Sequence, residues 1–480
     1  MLSLGNGRFD AVVAGGGIYG ILLALEGASR GERVLLVERD DFGGGTTSNH
    51  MRTIHGGLRY LQSLNVRRAI VSNRQRQWWL RYFPDLIRPM PCLMPLYGEG
   101  LRRPQTFRAA FALSRLLGLH DRSDAGRRTG VISSAEVRGL LEYRRDHDLD
   151  RGALWHDAFM PRPHRVVAEL LHWAEAAGAV LHNRMELFSA MQVSKNDGAD
   201  AWRLSVRNRS GETLELASRW IINATGPATD ETIRRITGRH CGRVFIPTLA
   251  WGMLLDRPPV SECSLAIAPP GKNRGTYFVH PYHGFVLAGT GHAGIPPDGP
   301  LPSGPSEPQL QKMLSDLDEA LPGFAPIREQ VRHVFWGVLP GLRAGAEQLL
   351  TTPVIIDHGL RDRAPGAWTV LGVKFTEAPS VASRVWNQLT GPRTQDLPAR
   401  PPPAPVPSFA DARVMSDRQL TEALRRIAAT EWQPSACDLA WRRTDLWMDE
   451  AEARRVDQLE PFWKSYESVS EYVPPQSRLD

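Results

Sequence analysis

Residues 10–38 constrain this chain more than any other stretch. Ala11 to Ala14 form an unbroken apolar run, read as a short buried strand, that leads into Gly15-Gly16-Gly17-Ile18-Tyr19-Gly20. This loop matches G-x-G-x-x-G. The apolar run Ile21 to Leu25 then predicts a helix, and Arg33 to Val37 a second strand that ends on Glu38. The acid falls about 20 residues beyond the loop, where a dinucleotide-binding βαβ unit places its acceptor for a ribose hydroxyl. Each glycine has a separate reason. Gly15 permits the tight turn, Gly17 lets backbone approach a pyrophosphate, and Gly20 lets helix pack closely on strand. The positive end of the helix holds the phosphate charge. Arg39, beside the acid, joins the candidate set.

A chain of 480 residues exceeds one hydrophobic core and predicts two or three domains. The net charge of +6 is mild and suits an anionic substrate or a lipid surface. No nucleic-acid motif accompanies it, so no nucleic-acid partner is expected. The 4 cysteines are scattered without a C-x-x-C pair, as in a reducing cytoplasm. No metal site is expected. The N-terminus lacks a charged leader region, and no apolar run approaches the roughly 20 residues that span a bilayer. A cytoplasmic location follows. Among 14 tryptophans, the pair Trp78-Trp79 suits either a core or a site wall.

Beyond Glu38 come Gly43-Gly44-Gly45-Thr46-Thr47-Ser48 and then Thr53-Ile54-His55-Gly56-Gly57-Leu58-Arg59-Tyr60-Leu61. Small hydroxylated residues after a glycine turn offer N–H and O–H donors to phosphate, and His55-Gly56-Gly57 suits backbone passing close to a flat ring. This run resembles the FAD-dependent glycerol-3-phosphate dehydrogenases, whose pattern is T-S-S, a short spacer and K-L-I-H-G-G-L-R-Y-L-E. Those enzymes belong to the wider D-amino-acid-oxidase-like flavoproteins. Further on, Ile221-Ile222-Asn223-Ala224-Thr225-Gly226-Pro227 resembles the family's V-N-A-T-G-P. Gly372-Val373-Lys374-Phe375-Thr376 resembles G-G-K-L-T, and Leu439 to Thr444 resembles L-W-R-R-T.

The resemblance implies an α/β protein with a Rossmann-type FAD-binding domain, an antiparallel β-rich substrate domain and a small α-helical C-terminal domain. The expected segments are 1–75, 145–235 and 335–392 for FAD and 76–144 with 236–334 for substrate. A Pro-rich linker at 393–407 and a helical domain at 408–480 complete the chain. FAD is the implied cofactor, held by Gly15, Gly17, Gly20, Glu38, Arg39, Thr46, Thr47, His55, Gly56, Gly57, Ala224, Thr225, Gly226, Gly372, Lys374, Phe375 and Thr376, with backbone near Met185 against the adenine. Chemistry would be hydride transfer from a carbon bearing OH or NH, with a protein base taking the proton. His55, His292 and His280 are the base candidates, and Lys374 would hold substrate or flavin.

Departures from the family pattern sit at the substrate positions. The arginine of G-V-R-P-L is Leu339, the T-Y-R after the lysine is Glu377-Ala378-Pro379, and the early lysine is Arg52. Arg52 and Arg343 are the substitutes available for an anion clamp. The leading expectation is therefore a small-molecule substrate other than glycerol 3-phosphate, with oxygen, a quinone or another carrier as electron acceptor. A true glycerol-3-phosphate dehydrogenase and a flavin-binding protein without turnover are the alternatives. The arginine-rich stretch 101–128 carries Arg102, Arg103, Arg108, Arg115, Arg122, Arg127 and Arg128 among apolar residues. It suits either a surface helix or peripheral contact with an anionic membrane. Residues 89–95, interrupted by prolines, read as an edge strand.

Overall fold

The structure, a computed structural model, describes residues 7–463 apart from 63, 98–102, 120–127, 142–150, 194–200, 240, 272–273, 297–298, 404–413, 431, 433–434, 445 and 449. Arg102, Arg122, Arg127 and the end of the expected linker lie outside the described residues.

Two sheets organise the chain. The first has 8 strands, in the order Val354–Asp357, Ala367–Leu371, Thr213–Asn223, Arg8–Ala14, Val34–Val37 and Val180–His182, with Met185–Gln192 and Trp202–Asn208 pairing antiparallel off the long third strand. Its central strands are parallel, and their stretches Ala11–Ala14, Val34–Val37 and Ile221–Ile222 are apolar and buried, as in strands covered on both faces. Pairing sets Ala14 opposite both Val37 and Asn223. Glu38, Gly15 and Ala224 therefore leave the sheet side by side at one edge. Helix Ile18–Ala28 covers this sheet and is buried along nearly its whole length. A Cβ on Gly20 would lie 1.8 Å from the Gly15 carbonyl oxygen, so that position takes only glycine.

The second sheet has 9 strands and is mainly antiparallel, in the order Val331–Pro340, Pro247–Leu255, Phe285–Gly294, Tyr277–Tyr282, Ser264–Ile267, Arg88–Leu96, Arg151–Phe159 and Thr53–Ile54, with Gly130–Ser133 on Arg151–Phe159. Helix Glu307–Ala320 closes one face with Leu310, Met313, Leu314 and Leu317. The proline-bearing strand is not at the edge, which corrects the sequence reading. It lies between Ser264–Ile267 and Arg151–Phe159. Pro89, Pro91 and Pro95 alternate, so their missing donors all fall along one side, and the parallel partner pairs only at Cys92 and Leu93.

Trp79 is fully buried and packs with Trp78, Phe83 and Phe375, so this pair builds core. Helix Pro104–Leu116 turns Phe107 and Phe111 into a core with Met90, Met94 and Trp155, leaving Arg103, Arg108 and Arg115 outside. Its apolar face is thus already used within the protein. No described helix is long and apolar enough to cross a membrane.

Helix Asp417–Thr430 forms a small core of its own with Leu439, Leu446 and Val456. Beyond residue 435 the chain runs as Ala436–Asp438, a π-turn Leu439–Arg443, and short helices Leu446–Met448, Glu450–Gln458 and Glu460–Trp463. One buried ion pair ties this segment to the first sheet. Arg443 lies 3.2 Å from Asp41, and both side chains are at most 1% exposed. Removing one partner of such a pair leaves a buried charge and costs about 3–5 kcal/mol. Arg443→Met is expected to lower the urea midpoint, with an unfolding free energy reduced by that amount, and partial recovery when Asp41→Asn is added. An unchanged midpoint would show that the pair contributes nothing.

Candidate active site

A cavity of about 660 Å³ opens where the strand ends of the first sheet meet the second sheet. At one end stand Glu38, Arg39, Met185, Glu186 and residues Ala224 to Ala228. Glu38 accepts the Gly16 N–H at 2.7 Å and the Asp40 N–H at 2.8 Å, and burial raises its carboxyl above the usual range. Arg39 is mostly solvent-facing beside Asp40. The Ile18 N–H at the positive end of the first helix donates to the Thr47 hydroxyl at 3.0 Å.

The loop that carries Thr46 and Met51 is seated on the second sheet at glycines. A Cβ on Gly337 would lie 2.7 Å from the Thr46 side chain, and one on Gly252 or Gly289 would lie 2.7 or 2.6 Å from the Met51 sulfur. The same sheet lines the cavity through Ala250, Trp251, Thr290, His292, Phe335 and Leu339. On the first-sheet side, Tyr19 fills the space over Gly372 and donates its hydroxyl to the Lys374 carbonyl at 2.7 Å. Trp79 Nε1 donates to the Thr376 carbonyl at 3.1 Å, fixing the turn that presents Lys374 and Phe375.

Of the expected residues, Gly15, Gly17, Glu38, Arg39, Thr46, Thr47, His55, Met185, Ala224, Thr225, Gly226, His292, Gly372, Lys374, Phe375 and Thr376 line the cavity. Others are placed elsewhere. Gly20 serves packing, as above. Gly56 and Gly57 face helix Val66–Tyr82 instead of a ring: Gly57 has φ +90, and a Cβ there would lie 2.9 Å from the Ala69 carbonyl oxygen. Arg52 is buried, donates to the Ser48 and His50 carbonyls at 2.9 and 2.6 Å, and lies over the Phe335 ring. Arg343 is solvent-exposed and outside the cavity wall. Neither lines the cavity. His280 is buried with Nε2 3.1 Å from the Thr53 hydroxyl, and burial takes its imidazole down to about 3. It does not reach the cavity.

The structure adds a residue that the motif reading passed over. Asp157 is buried in strand Arg151–Phe159, with one carboxylate oxygen 3.2 Å from His55 Nδ1 and the other accepting the Gly56 N–H at 2.7 Å. Burial alone would raise this carboxyl, but His55, Gly56 and Arg76 together bring it below the usual range. Asp157 thus accepts from His55 Nδ1–H, an arrangement that in a neutral ring leaves Nε2 as the acceptor. A charged residue amid Trp155, Ala158 and Phe159 was the available sequence signal. His292 borders the cavity opposite Ala250, and burial lowers its imidazole, so it stands neutral. Lys374 Nζ lies 4.6 Å from the Tyr60 ring centre and 3.9 Å from Glu377. Among the described residues no group of His, Cys, Asp and Glu is placed to hold a metal.

The profile of the family described as FAD dependent oxidoreductase matches residues 10–384. The chain belongs to that family. It is 27% identical over 414 residues to a glycerol-3-phosphate dehydrogenase of Synechocystis, covering 82% of this chain and 72% of that protein. It is 29% identical over 425 residues to glycerol-3-phosphate dehydrogenase 1 of Mycobacterium tuberculosis, covering 83% and 79%. The fold is also that of the glycerol-3-phosphate dehydrogenase from Bacillus halodurans solved with FAD, at TM-score 0.58, 16% identity and coverage of 95% and 82%. Glycine oxidase from Geobacillus kaustophilus gives TM-score 0.59 at 16% identity, covering 81% and 96%.

FAD is the family's cofactor, and the residues present fit it. A Cβ on Gly15 would lie 2.6 Å from the Ala224 carbonyl oxygen, so the loop offers bare backbone. Two buried donors that border the cavity, Trp251 Nε1 and His50 Nε2, meet no hydrogen-bond partner in the protein. Gly17→Val is expected to give a folded, colourless protein, because its branches would crowd Thr47, 3.1 Å from a Cβ there, and block the pyrophosphate. Purification and FAD reconstitution check this; a yellow variant would refute the placement.

Proposed function

We propose that this flavoenzyme oxidises a carbon bearing a hydroxyl or amino group in an uncharged small or medium substrate, and that glycerol 3-phosphate is a poor one. One observation carries the reading. Among the described side chains lining the cavity, the lysines and arginines are Arg39, Arg235 and Lys374, and the first two stand at the Glu38 end. At the other end Lys374 faces Glu377, and Leu339, Leu301, Pro302 and Leu349 supply apolar wall. A phosphate dianion would enter without the bidentate clamp that such groups require. The relatives' names favour glycerol 3-phosphate as a second reading, but the placement of Arg52 and Arg343 counts against it.

Bound FAD supplies the hydride acceptor. The protein orients the substrate carbon and takes its proton. His55 is suited to this because Asp157 holds its Nδ1 proton, leaving Nε2 free to accept at the cavity. His292 stands neutral on the second sheet and offers a second acceptor. The electron acceptor would be oxygen, a quinone or another carrier. The cytoplasm is the proposed setting, in a specialised pathway, with Arg103, Arg108 and Arg115 available for contact with an anionic membrane.

With a dye acceptor, glycerol 3-phosphate is expected to give negligible turnover. Leu339→Arg alone should not restore it, because Glu377 competes for the new charge. Turnover above about 1 per second with a Michaelis constant in the micromolar-to-millimolar range would contradict the proposal. Burial lowers the His292 pKa, so its neutral form persists through pH 7 and is lost only as pH falls through that lowered value. If His292 takes the proton, kcat/KM for an accepted substrate stays flat at neutrality and declines on the acid side, and His292→Gln abolishes that decline. A decline unchanged in the variant would exclude His292 as the proton acceptor.

A further inference from the structure

His50 sits on the loop between Thr47, whose hydroxyl caps the first helix, and Met51, whose sulfur fills the space over Gly252 and Gly289. Its Nδ1 accepts the Arg52 backbone N–H at 3.0 Å. In a neutral ring that nitrogen then carries no proton, so the proton is on Nε2. The ring is braced by Phe375, with centroids 5.0 Å apart. Burial and then the Arg52 charge hold the imidazole well below its usual pKa, which keeps the neutral form. The remaining atom, Nε2, is buried at the cavity wall and meets no acceptor in the protein.

Buried donors are paired in stable proteins, because leaving one unsatisfied forfeits its hydration without return. Here the tautomer is fixed by the loop, the ring by Phe375, and the open donor by the cavity. We propose that His50 is a cofactor ligand, donating its Nε2–H to an acceptor atom of bound FAD. The inference rests on FAD occupying this cavity. The loop that presents His50 also carries the hydroxyl at the phosphate-binding helix start, which places the donor on the cofactor-binding loop.

Two side chains separate this role from a purely local one. His50→Asn sets an amide oxygen where Nδ1 stands and keeps the Arg52 N–H satisfied, but carries nothing at the Nε2 position. His50→Gln extends an amide N–H to that position and gives up the Arg52 contact. Apoproteins are reconstituted with FAD, and affinity is read from quenching of flavin fluorescence, with thermal melts confirming the fold. FAD should bind His50→Asn at least about tenfold more weakly and His50→Gln within about threefold of wild type. The reverse order would overturn the proposal by showing that His50 only shapes the turn, as would unchanged affinity in both variants. A wild-type protein that fails to take up FAD would overturn the cofactor reading itself, and this inference with it.

Discussion

Parallel pairing in the first sheet sets Ala14 opposite Val37 on one side and Asn223 on the other. The rest of the site depends on that register. A shift of one residue would separate Gly15, Glu38 and Ala224, which now leave the sheet at one edge, and would turn the buried faces of these strands over. Strand Ala367–Leu371 brings Gly372 and Lys374 to the same edge, since Thr369 pairs with Asn223. Three loops distant in sequence thus share one mouth, as ligand sites do at the carboxyl ends of parallel strands.

The second sheet contributes by what it lacks. Glycines at 252, 289 and 337 let Met51 and Thr46 lie directly on its strands, so the loop after Glu38 is held between the sheets. Around this contact the wall is apolar, with Leu339 where the resembling dehydrogenases carry arginine. Lys374 remains, but Glu377 lies within 3.9 Å of it, and the local charge balances. The same architecture that binds a charged dinucleotide at one end therefore offers an apolar, nearly neutral surface at the other.

The grouping of the glycine loop, Glu38, Ala224-Thr225-Gly226 and the Lys374 turn around one cavity was legible in the sequence because each is a short motif at a strand end. An antiparallel β-rich domain was expected from the family resemblance, and the second sheet supplies it. What escaped depends on contacts between distant segments. Pro89, Pro91 and Pro95 signalled an edge strand, yet their alternation confines the missing donors to one side of an interior one. Gly56 and Gly57 suggested a ring, but the close neighbour is helix Val66–Tyr82. Arg52 offered a charge by sequence, and its left-handed backbone, φ 58, turns that charge onto the carbonyls of its own loop. Asp157 carries no motif and becomes visible only when its strand passes behind His55.

Anaerobic mixing of the yellow holoprotein with a panel of uncharged alcohols and amines, followed through the visible flavin absorbance, tests the central claim most directly. The account predicts bleaching by at least one uncharged member with apolar bulk, and a persistent oxidised spectrum with glycerol 3-phosphate. Rapid bleaching by glycerol 3-phosphate, with none from the neutral compounds, would contradict it.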